Sequence, residues 1–106
     1  MKQAPLVTVI ETEHYLSRAR KLFSDNERVA IVDFLAAHPT AGESLGSGVR
    51  KMRWGSRAAF RVVHFYADER FPVVILDIFA KSEASNYSPA GLEAMRALAK
   101  GIRRDR

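Results

Sequence analysis

The hydrophobic period of this chain switches near residue 49, and that switch limits the fold more than any other feature. Before it, two stretches carry apolar residues at helical spacing; from 49 to 81 the apolar residues alternate or run together, as strands do. Helical spacing returns after Pro89. Elements sorted in this way predict an α+β domain, one sheet with helices packed against it.

The individual segments carry their own start and stop signals. "PLVTVIE" alternates Leu6, Thr8 and Ile10 against Val7 and Val9 and reads as a short strand bounded by Pro5. In "TEHYLSRARKLF", Tyr15, Leu16, Ala19, Leu22 and Phe23 share one helical face, with Thr12 as the cap. "SDNERVAIVDFLAAHP" places Glu27 three residues after Ser24, a capping box, ahead of an apolar helix that Pro39 stops. "PTAGESLGSG" reads as a turn-rich connection. Strands follow at 49–54, 60–67 and 71–81, spaced for hairpins and therefore for an antiparallel meander. A last helix runs from Pro89 to about Arg103, with Ser88 as N-cap and Tyr87 placed to staple onto Leu92. The predicted order is β-α-α-β-β-β-α, a single domain over residues 1–106.

Composition narrows the function classes. The chain has no cysteine, which excludes disulfides, thiolate catalysis and cysteine-based zinc sites, and its three histidines are far apart, which argues against a structural metal. The N-terminal apolar run is too short for a signal peptide, and no window reaches the ~18–20 apolar residues of a membrane span. A cytoplasmic protein with no membrane partner is expected.

Charge is the informative quantity. The net charge is +5, and from Leu45 to Ala67 there is no Asp or Glu, while Arg50, Lys51, Arg53, Arg57 and Arg61 all fall in that tract. A tract of one sign is either a solvated sheet face or a surface for polyanions, nucleic acid above all, with anionic lipid and an acidic protein as the other partners that would serve. Period two sends Met52 and Trp54 to one side of their strand and Lys51 and Arg53 to the other. Arg61 shares a face with Val63 and Phe65, so it needs a partner: Asp77 of the next strand, or an external anion. With the three strands adjacent, Lys51, Arg53, Arg61 and Lys81 converge on one surface. His64 reads as a packed histidine, Trp54 as a core residue with base stacking as its alternative role, and His14 and His38 carry no signal.

These residues resemble a known family. "LGSGVRKMRWG", then "FRVVHFY", then "FPVVILDIFAKSEASNYSPAGLEAMRAL" are similar to the RelE/ParE superfamily of type II toxin–antitoxin toxins, in its HigB-type branch. The likeness covers residues 45–102, and the preceding strand and helix pair fit the same RelE-like fold. It implies a ribosome-dependent endoribonuclease that cuts messenger RNA and is neutralised by a cognate antitoxin protein. Carried over by position, the family's basic strand pair falls on Lys51 and Arg53, its strand arginine on Arg61, its basic residue after the last strand on Lys81, and its tyrosine on Tyr87. Arg50 and Arg57 add RNA-binding charge.

The usual acid/base sets for RNA cleavage, a His pair or a carboxylate pair, are absent from the sequence. A cationic site suffices where the RNA 2′-hydroxyl attacks its own phosphate, leaving a cyclic phosphate and a 5′-hydroxyl, with no cofactor and no metal. Arg53 and Arg61 would stabilise the phosphorane. Lys51, amid arginines that favour its neutral form, is the candidate base and Lys81 the candidate acid, with the two roles exchangeable. Two alternatives stand: a ParE-like DNA gyrase inhibitor on the same fold, and a noncatalytic module that holds RNA or an acidic protein.

Overall fold

Thr12 and Ser24 set the first half of the chain. In the computed structural model, which describes residues 6–82 and 89–104, the Thr12 hydroxyl accepts from the Tyr15 amide and donates to the Ile75 carbonyl. That one side chain starts helix α1 (Glu13–Leu22) and ties its origin to the sheet. Ser24 and Glu27 form the expected capping box at 2.9 and 3.2 Å and begin α2 (Asp25–Ala37). The bond from the Ser24 amide also holds the Glu27 carboxyl below its ordinary range.

The strands are β1 (Val9–Glu11), β2 (Glu43–Gly46), β3 (Val49–Trp54), β4 (Phe60–Phe65) and β5 (Val73–Ala80), and α3 (Pro89–Arg104) closes the chain. They form one sheet in the order β1-β5-β4-β3-β2. The α+β class holds, but two expectations change. The sheet is mixed, because β1 runs parallel to β5, while β2 to β5 are antiparallel. Element order also differs, because the stretch read as a connection contains β2. Its polar residues Glu43 and Ser44 show no apolar alternation, so only the turn signals were visible. Ser88 and Tyr87, the expected cap and staple of α3, lie outside the described residues.

Gly42 is what lets β2 pair. Its φ is +88°, and a Cβ there would stand 2.4 Å from the Lys51 carbonyl oxygen. Gly42→Ala combines left-handed strain with a backbone clash, so a stability loss of at least about 2 kcal/mol is expected from urea melts.

Side chains pack on both faces of the sheet. On one, Tyr15 and Ala19 of α1 and Ile31 and Leu35 of α2 cover Met52, Val62, Val73, Ile75 and Ile78. On the other, Ala99, with Met95 and Ile102, covers Val49, Val63, Phe65, Val74, Leu76 and Phe79. Trp54 packs at the rim of the first cluster, as expected for a core residue. Leu22, expected on the buried face of α1, is 39% exposed, and Leu98 of α3 is 48% exposed. The Arg96 guanidinium donates to the Leu45 carbonyl and so fastens α3 to β2.

Candidate functional site

The β3–β4 ladder decides where the cations meet. Its register places Arg53 directly opposite Arg61 and Lys51 opposite Val63. Like charges opposed across antiparallel strands repel, at a separation where side chains touch. The repulsion is relieved when an anion lies between them.

Lys51, Arg53 and Arg61 line one cleft of about 540 Å³, together with Glu43, Met52, Phe34 of α2 and the turn residues Ala41 and Gly42. Arg53 is exposed, whereas the Lys51 side chain is mostly buried, with 10% of it left accessible. Arg61 is pinned, since its Nη1 donates to the Ala58 carbonyl at 2.7 Å and to the Phe60 carbonyl at 3.1 Å. The acceptor Ala58 belongs to the short 3-10 turn Ser56–Ala58, in which Arg57 and Ala58 both have positive φ, 57° and 53°. A turn in that conformation is held by its surroundings, and the Arg61 fork is part of what holds it.

Other expected site residues are placed differently. Lys81 follows β5, exposed, and its amide donates to the Ala59 carbonyl at 2.8 Å, which sets it beside the β3–β4 turn rather than in the cleft wall. Arg57 is exposed on that same turn. Arg50 sits on the opposite face of β3 from Lys51, and its guanidinium donates to the Ala41 and Gly42 carbonyls, steadying the turn that leads into β2. Tyr87 lies outside the described residues.

Asp77 does not pair with Arg61. The β4–β5 register slips between Val63 and His64, so Asp77 faces Val63 while Ile75 faces His64. Beside this irregularity Asp77 meets α1, with Oδ1 3.2 Å from His14 Nε2 and 3.5 Å from Arg18 Nε, and it accepts from the Ile78 amide. His14, silent in the sequence, thus lies within hydrogen-bond reach of a buried carboxylate.

The acid-free tract gains one acid through folding. Glu43 stands opposite Lys51 in the β2–β3 register, with Oε1 3.8 Å from the lysine Nζ. Its position two residues before the acid-free tract gave no hint of this. Phe34 was missed because its spacing in α2 is that of an ordinary apolar helix residue.

His64 is fully buried and its Nε2 donates to the Pro39 carbonyl at 2.9 Å, since that carbonyl can only accept. Burial pushes its pKa down to about 4, the Pro39 bond opposes this, and Arg50 adds to it. It is the packed neutral histidine expected, placed on the opposite face of β4 from Arg61.

Fold and site together define the class: an α+β domain with a mixed sheet and a cationic cleft where α2, the 41–42 turn and strands β2 to β4 meet. Compared with known proteins, the chain matches no family model and no curated sequence. No helix among the described residues is long and apolar enough to cross a membrane.

Proposed function

We propose that the chain is the toxin of a type II toxin–antitoxin module, a RelE-like protein of HigB type acting in the cytoplasm as a ribosome-dependent mRNA endoribonuclease. The observation that carries this reading is the direct opposition of Arg53 and Arg61 in a cleft shared with Lys51. Two guanidinium forks set against each other suit a phosphodiester better than any neutral ligand, because each fork matches two phosphate oxygens.

In this reading the RNA 2′-oxygen attacks the adjacent phosphorus, and the bond from phosphorus to the 5′-oxygen breaks. Arg53 and Arg61 stabilise the added negative charge of the phosphorane. Lys51 takes the 2′-hydroxyl proton and Lys81, assigned by the resemblance and not by the cleft lining, returns one to the 5′-oxygen, or the reverse. Tyr87 joins them through the resemblance alone. Arg50 and Arg57 contribute field rather than contact, and the ribosome orients the strand. A cognate antitoxin is the expected protein partner.

The Glu43–Lys51 ion pair favours a second reading, a noncatalytic module that holds RNA or an acidic protein. A lysine already paired with a carboxylate serves more readily as a charge than as a base. One experiment separates the two: purified protein is added to a translating extract and RNA 5′ ends are mapped. Cuts phased with the ribosome support the nuclease, whereas intact RNA with salt-sensitive RNA binding supports the module.

A further inference from the structure

The cationic cleft contains an aromatic ring that its charge does not require. Phe34 lines the same cleft as Arg53 and Arg61, and 38% of it stays exposed. The ring is held in place by two neighbours. Trp54 meets it edge-on with centroids 5.4 Å apart, and His38 lies tilted against it at 4.7 Å. A fixed, accessible ring beside arginines is the combination by which proteins take single-stranded nucleic acid, the cations gripping phosphate and the ring stacking on a base. The cleft volume of about 540 Å³ falls in the range of a single small-molecule site, enough for one nucleotide rather than a run of them.

We infer that Phe34 is the stacking platform for one unpaired nucleobase, next to the phosphate that lies between Arg53 and Arg61. This rests on the reading of the cleft as an RNA site and adds a requirement to it. The nucleotide at the cleft must leave its stack, so a single strand is accepted and a duplex is not.

Trp54 is the only tryptophan in the chain and touches Phe34, so its fluorescence reports on the ring. The whole protein is titrated at low salt with a short 2′-O-methyl oligoadenylate and with an abasic 2′-O-methyl oligomer of equal length, neither of which can be cut through its 2′-oxygen. The base-bearing strand binds about tenfold tighter, in line with measured stacking contributions. Phe34→Ala removes that preference and leaves abasic binding unchanged, which also shows that the variant is folded; Phe34→Tyr restores it. Arg61→Ala weakens both oligomers alike. If the wild type binds the two equally, or Phe34→Ala keeps the preference, the stacking inference is overturned while the RNA reading stands. If neither oligomer binds, or Arg61→Ala changes neither, the RNA reading falls and this inference falls with it.

Discussion

For the proposed nuclease, Arg61→Ala is expected to lower ribosome-dependent cleavage by roughly 10²–10³-fold, the range seen when a single preorganised donor is removed from a developing charge. The expectation follows from how Arg61 is held. Its guanidinium donates to one carbonyl of the β3–β4 turn and one at the start of β4, and it stands in the cleft opposite Arg53. It therefore needs little reordering when a phosphate gains charge. Arg61→Lys keeps the charge but loses the planar fork, so it recovers only part of the rate. Single-turnover cleavage on programmed ribosomes reads the effect, and urea melts of each variant show whether the released turn has cost stability instead. A variant that folds and cuts at the wild-type rate would remove Arg61 from the reaction.

The second large effect is on stability below neutral pH. His64 is neutral in the folded protein, with its pKa pushed down from 6.5 to about 4 by burial. The unfolded chain binds that proton at the ordinary histidine pKa, so it gains protons first as the pH falls. Stability from His64 is complete above about pH 6.5 and is lost progressively down to about pH 4, where the folded form also takes the proton. Between pH 7 and 5 the loss amounts to about 2 kcal/mol, a sizeable share of the stability of a small domain. Urea unfolding at the two pH values measures it. His64→Gln keeps an amide donor for the Pro39 carbonyl but cannot titrate, so its curve is flatter over this range. An equally steep acid limb in that variant would assign the loss to other groups.

What could be read from the chain depended on whether the signal was local. Alternation in 49–54 placed Lys51 and Arg53 on one face and Met52 and Trp54 on the other; the structure packs Met52 and Trp54 into the cluster under α1 and α2, with Met52 also reaching the cleft that Lys51 and Arg53 line. Ser24 with Glu27 located the start of α2 because a capping box is complete within four residues. Pairing at long range was not legible. Nothing in "VIE" says that it will lie parallel to a strand more than sixty residues later. The irregularity that turns Asp77 from Arg61 toward His14 and Arg18 leaves no mark on the apolar run of β5. Glu43 was hidden by a different cause. It occupies a glycine-rich stretch whose turn signals are genuine, and only the approach of Gly42 to the Lys51 backbone brings the carboxylate to the lysine. The cations of the site were thus visible in sequence, while the acid and the ring that share their cleft were not.

The central claim is that the cleft supplies charge and the RNA supplies the nucleophile. The most direct test uses a messenger RNA with a single 2′-deoxynucleotide on the 5′ side of a mapped cut, presented on the ribosome beside the all-ribose strand. The account predicts that the ribose strand is cut to a 2′,3′-cyclic phosphate and a 5′-hydroxyl, and that the deoxy-substituted strand is left intact at that position. Cleavage of the deoxy strand at a comparable rate, or a 5′-phosphate on the product, would contradict it.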